Sequence, residues 1–179
     1  IPFCETLCTF CGCNTIITRD HSKEEAYIAD VLKEWTLYCD SVPEMLKRPL
    51  KHLHLGGGTP TFLSASSLSS LLGPILDRIT RTHEMEASIE VDPRRTSADQ
   101  LRVLREYGFN RISLGVQDFN PEVQRLVNRV QPFELTAELT ATARALGFSS
   151  INFDLIYGLP KQTTTSIRDM VSKTVELRP

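Results

Sequence analysis

Leu50-Lys51-His52-Leu53-His54-Leu55-Gly56-Gly57-Gly58-Thr59-Pro60 is the stretch that decides the fold. Its first six residues alternate with period two, the signature of a strand, and three glycines end it. Short β-branched or apolar runs recur on both sides of it, each separated from the next by a helical pattern. Residues 22–39 predict a helix, opened by a Ser22/Glu25 capping box and carrying Ile28, Val31, Leu32 and Trp35 on one face. Leu68, Leu71, Leu72, Ile75, Leu76 and Ile79 share a face of a second helix, in which Gly73-Pro74 predicts a kink or a late start. Further strands are expected at Ala87–Val91, Arg111–Val116 and Ile151–Tyr157, and one ends at Ile1-Pro2-Phe3. Further helices are expected from Ser97 to Tyr107, at 121–128, at Glu134–Leu146 and at Thr164–Leu177.

One junction repeats. Tyr107-Gly108-Phe109-Asn110-Arg111-Ile112-Ser113 resembles Leu146-Gly147-Phe148-Ser149-Ser150-Ile151-Asn152. Both have the form of a helix end, a left-handed glycine, a buried Phe and a strand. Strands that alternate with helices predict right-handed βα units in a parallel sheet, and residues 1–179 form one such α/β unit. Gly56–Thr59, Glu90 with Asp92, Gln117 with Asp118, and Asp154 each fall at the C-terminal end of a strand. In parallel α/β proteins that edge carries the chemistry.

The 179 residues hold 20 Lys plus Arg against 22 Asp plus Glu, a formal net charge of −2, with 41% hydrophobic residues. This excludes a disordered chain and a nucleic-acid binder that works by bulk positive charge. No run approaches the ~18 apolar residues of a membrane helix, so no membrane partner is expected. Five cysteines are present, and Cys4, Cys8, Cys11 and Cys13 form C-x3-C-x2-C-x-C. A dense cluster in an otherwise cysteine-poor chain points to metal in a reducing compartment, hence a cytoplasmic location. Three thiolates on one short loop can hold three irons of a [4Fe–4S] cluster and leave the fourth open for a ligand. A structural zinc site would need a second, separated pair of ligands, which is lacking. Cys39 is expected to be a buried thiol on the first helix.

The motif C-x3-C-x2-C with Phe10 before its third cysteine resembles the signature of radical S-adenosylmethionine enzymes, and Gly56–Pro60 resembles their glycine motif. A finer resemblance is to the oxygen-independent coproporphyrinogen III dehydrogenase family. It rests on Ile1–Cys4, Cys11–Asn14, Ile89–Pro93, Gly115–Phe119, Gln124–Arg129 and Asp154–Pro160. The resemblance implies a partial (βα)6-type TIM barrel, truncated at both ends, with residues 1–179 as the radical SAM core. It implies that Cys4, Cys8 and Cys11 ligate a [4Fe–4S] cluster while Cys13 does not. Two S-adenosylmethionine molecules are implied, the first against Gly57 and Glu90. The second lies against Phe10, Gly58, Thr59, Gln117, Arg129 and Asp154.

The implied reaction converts two propionates of coproporphyrinogen III to vinyls through a 5′-deoxyadenosyl radical, giving protoporphyrinogen IX. A flavodoxin- or ferredoxin-type electron donor and a monomeric state come with it. The family also has a tyrosine before the first cysteine, a sixth strand and a helical C-terminal domain. The chain is therefore expected to be an internal fragment that is unstable and inactive alone. A related haem chaperone, a haem-degrading radical enzyme and a zinc module are the competing readings.

Overall fold

Four strands alternate apolar and polar side chains, and the apolar set faces the helices. In the computed structural model, which describes residues 1–179, these are β3 (Leu50–Leu55), β4 (Arg81–Val91), β5 (Arg111–Gln117) and β6 (Ser150–Leu155). They form one parallel sheet in the order β3-β4-β5-β6. Met85, Ala87, Ile89 and Val91 of β4, with Ile112, Leu114 and Val116 of β5, are buried. Ile151, Phe153 and Leu155 of β6 pack on the same core. The register slips between Leu50 and His52, which lie opposite Arg81 and Glu86. The extra residues there lie on β4, and Leu50, Leu53 and Leu55 of β3 all pack against the core.

Six helices fill the connections: α1 (Lys23–Ser41), α2 (Ala65–Leu76), α3 (Ala98–Glu106), α4 (Pro121–Leu126), α5 (Phe133–Ala145) and α6 (Thr164–Leu177). Neighbouring helices α1, α2, α3 and α5 cover the apolar face of the sheet, to which Ile28, Leu68, Leu71, Leu72, Leu101, Leu104, Leu139 and Ala143 contribute. Both repeated junctions form as expected. Gly108 and Gly147 have φ of 91° and 88°, and Phe109 and Phe148 are buried behind them. The Ser97/Gln100 capping box opens α3.

Four local expectations are corrected. The Ser22/Glu25 capping box does not form, because Ser22 is itself helical and its hydroxyl donates to Asp20 Oδ1 (2.6 Å). Helix α2 does not start late. Ser64 caps it through the Ser67 N–H, and Pro74 sits inside it, near where the Tyr107 hydroxyl donates to the Ser69 carbonyl (3.3 Å). Strand β4 begins six residues earlier than the apolar run, in the polar segment Arg81–Glu86. The first strand pairs outside the main sheet. Strand β1 (Phe3–Cys4) makes a parallel ladder with β2 (Ile16–Ile17), a strand that carried too little pattern to be expected. The β1 segment is also tied to the end of β3, where Gly58 N–H donates to Ile1 O and Thr59 N–H to Phe3 O, both at 2.8 Å.

A candidate iron–sulfur and nucleotide site

The polar face of the sheet ends at a cavity of about 360 Å³. All eleven residues expected at the site line it: Cys4, Cys8, Phe10, Cys11, Gly57, Gly58, Thr59, Glu90, Gln117, Arg129 and Asp154. Strand ends supply most of them. Glu90 and Gln117 project from β4 and β5, and Asp154 from β6. The glycines continue β3, and Cys4 ends β1. Asp118 is the exception among the strand-end polar residues. Its buried carboxylate accepts from Asn120 N–H (2.6 Å) and Gln162 Nε2 (2.5 Å) and braces loops away from the cavity.

The cysteine loop is pinned from the far end of the chain. Thr9 N–H donates to Val127 O (3.1 Å), and the Asn128 side chain donates to Leu7 O (2.7 Å). Cys4 Sγ lies 3.3 Å from Thr59 Oγ1, and burial pushes its thiol up against the opposing pull of that hydroxyl. Cys13 faces the same cavity beside Cys11, and the hydrogen bond between the two raises the Cys13 thiol. Cys4, Cys8 and Cys11 all face this cavity, and three thiols on one short loop are a donor set that suits three irons of a [4Fe–4S] cluster.

Two glycines make the site by what they lack. A Cβ on Gly58 would stand 2.8 Å from Phe3 O, 3.0 Å from Pro2 C and 3.1 Å from Cys4 Sγ. Gly58→Ala should push β1 and Cys4 off the glycine turn, destabilise the protein by ~1–3 kcal/mol as overpacking does, and reduce the iron it retains. Thermal unfolding with iron analysis checks this, and a variant indistinguishable from wild type in both contradicts it. A Cβ on Gly115 would meet Arg129 Nη2 at 2.9 Å, so a larger residue there would have to shift the guanidinium that donates to the Gly115 carbonyl (2.7 Å).

Glu90 accepts from Gly57 N–H (3.4 Å) and lies 3.5 Å from His54 Nε2. Asp154 is held by Ser113 Oγ and Asn152 Nδ2, each at 2.8 Å. Gln117 takes φ of 68°, a strained value for a non-glycine residue at a functional edge. Ser113, Asn152 and His54 were missed as site residues. Their signal was a polar residue at every second position of an otherwise apolar strand.

A buried charge network was missed as well. Arg94 grips Asp92 with Nε at 3.0 Å from Oδ1 and Nη2 at 2.7 Å from Oδ2. Arg129 Nη1 reaches the same carboxylate at 3.3 Å. Both guanidiniums also point at Cys8 Sγ, from 3.7 and 3.6 Å. Burial pushes the Asp92 carboxyl up, but the Arg94 hydrogen bonds and the two arginine charges outweigh it and hold it below the usual carboxylate range. Burial alone would lower Arg94, and Asp92 reverses that. Arg129 Nε is buried without a partner.

The chain is a parallel α/β protein with a cysteine loop at the C-terminal edge of its sheet, and the Radical SAM superfamily pattern matches its residues 1–173. The chain belongs to that superfamily, whose members imply a [4Fe–4S] cluster and S-adenosylmethionine. Over all 179 residues it is 48% identical to the oxygen-independent coproporphyrinogen III oxidase of Escherichia coli strain K12. It is 42% identical to the enzyme of that name from Synechocystis. The chain spans 38% of the length of each. The solved structure of coproporphyrinogen III oxidase (HemN) from Escherichia coli matches all of this chain with a TM-score of 0.92 at 47% identity, over 41% of its own length. A radical S-adenosylmethionine methyltransferase from Kitasatospora setae shares the fold, with a TM-score of 0.66 at 17% identity.

Proposed function

We propose that this chain is the radical-generating core of an oxygen-independent coproporphyrinogen III oxidase. The whole protein would oxidatively decarboxylate two propionates of coproporphyrinogen III to vinyls, giving protoporphyrinogen IX for haem synthesis. The observation that carries the reading is the meeting of all eleven expected residues in one cavity, in a chain 48% identical to an enzyme of that name. When bound, the cluster and S-adenosylmethionine supply a 5′-deoxyadenosyl radical, which removes the hydrogen atom that the protein itself cannot.

The chain's own residues bind and orient. Cys4, Cys8 and Cys11 hold the cluster. Gly57 offers close backbone approach, and the Glu90 carboxylate beside it suits the ammonium group of a first S-adenosylmethionine. Arg129 suits the carboxylate of a second, with Phe10, Gly58, Thr59, Gln117 and Asp154 around it. Asp154 is pre-organised for this by Ser113 and Asn152, so little side-chain freedom is lost on binding. All five cysteines are free thiols, which a reducing, cytoplasmic compartment favours; a flavodoxin- or ferredoxin-type donor and a monomeric state complete the proposal. No helix is long and apolar enough to cross a membrane.

The test is anaerobic incubation of the whole protein with reductant, S-adenosylmethionine and coproporphyrinogen III. Protoporphyrinogen and 5′-deoxyadenosine are expected together. Deoxyadenosine without decarboxylation would assign the protein to another radical reaction. A stoichiometric haem complex without turnover would make it a haem carrier.

A further inference from the structure

We infer that Arg94 is a positioning residue that sets the reduction potential of the cluster through the sulfur of Cys8, with Asp92 holding its guanidinium in place. The inference rests on the reading above, in which Cys8 is a cluster ligand.

The geometry is closed on every side. Pro93 fixes the backbone of a tight turn, and Asp92 Oδ1 accepts from the Arg94 N–H (3.0 Å) as well as from its Nε. That double grip aims Nη2 at Cys8 Sγ. The Arg94 side chain is 16% exposed and the Asp92 side chain 8%. Cys8 is buried too. The charges present are two guanidiniums, Arg94 and Arg129, against one carboxylate. One positive charge remains, and both guanidiniums present it to the Cys8 sulfur. Arg129 also spends a donor on the Gly115 carbonyl. Every side-chain hydrogen bond of Arg94, by contrast, goes to Asp92 or Cys8. The adjacent Arg95 lines the same cavity but pairs with Glu5 (2.9 Å) instead of Cys8.

Reduction of a [4Fe–4S] cluster adds one electron, taking its core from 2+ to 1+, and makes the centre more negative. A cation and an N–H···S hydrogen bond at a ligating sulfur favour the reduced form. Arg94 therefore makes the cluster easier to reduce.

The experiment uses the whole protein, reconstituted anaerobically and titrated with dithionite as the one-electron source, with the reduced cluster followed by electron paramagnetic resonance. Arg94→Gln should bind iron and sulfide as wild type does. It should reduce at a more negative midpoint, so that a smaller fraction is reduced at fixed dithionite. Arg94→Lys, which keeps the charge, should fall between the two. Arg95→Gln, the same charge loss one residue away, should move the midpoint less than Arg94→Gln does. A wild-type midpoint in Arg94→Gln overturns the inference, and so does an equal shift in Arg95→Gln. If Arg94→Gln fails to retain the cluster, Arg94→Lys decides. A midpoint there more negative than wild type sustains the inference, a wild-type midpoint overturns it, and loss of the cluster there too overturns it by making Arg94 a brace of the loop. Cys8→Ala separates the two levels. If it keeps its cluster, the ligand reading fails. If it loses the cluster while Arg94→Gln titrates as wild type, only the role of Arg94 fails.

Discussion

Cys8→Ala in the whole protein is expected to abolish the cluster and all activity, whereas Cys13→Ala is expected to keep the cluster. The two sulfurs sit on one short loop, yet their surroundings differ. Cys8 is buried, and two guanidiniums donate to its sulfur. Cys13 is exposed, and its chief partner is Cys11. A cluster held by three thiolates has no spare protein ligand, so loss of one is not compensated. Iron and acid-labile sulfide after anaerobic reconstitution give the result directly. If Cys13→Ala also loses iron and sulfide, Cys13 belongs in the ligand set. If zinc is found with no labile sulfide in the wild type, the cluster itself is excluded.

Asp92→Ala should be among the most destabilising single changes in the chain, costing ~3–5 kcal/mol at neutral pH. Removal of one partner from a buried ion network leaves the others uncompensated, and here two guanidiniums would be stranded. The effect carries a pH signature. The folded carboxyl is held below its usual value. Its contribution is therefore complete above the unfolded value of ~3.9 and is lost as pH falls through the lower folded value. The gap between wild type and variant should be full at neutral pH and shrink in that acid range. Denaturant unfolding at the two pH values measures it. A gap below ~1 kcal/mol at neutral pH, the level of an ordinary substitution, would show that the network does not hold the fold.

Much of the architecture was legible because it depends on short-range pattern. The alternation of Ile112, Leu114 and Val116 marked β5. Gly108 and Gly147 marked two helix ends, and Ser97 with Gln100 marked a helix start. Where a local rule failed, a nearby group had intervened. Ser22 was drawn to Asp20 instead of capping α1. The polar first half of β4 lacked the apolar run that announces a strand. Strand β2 is two exposed isoleucines defined only by their partner Phe3–Cys4.

The candidate site divides along the same line. The cysteine spacing, the triple glycine and the polar strand ends are properties of consecutive residues, and the sequence by itself determined them. It also determined that parallel βα units would bring those ends to one edge, since strands running in one direction all end on the same side of the sheet. The Asp92–Arg94–Arg129–Cys8 network joins residues up to 121 positions apart. Only the tertiary structure could decide it, because burial sets the energy of a charge pair and burial is not a local property. The same holds for the anchoring of the cysteine loop to Asn128 and for the space that Gly115 leaves for a guanidinium. Packing brought those atoms together, and no spacing along the chain announced them.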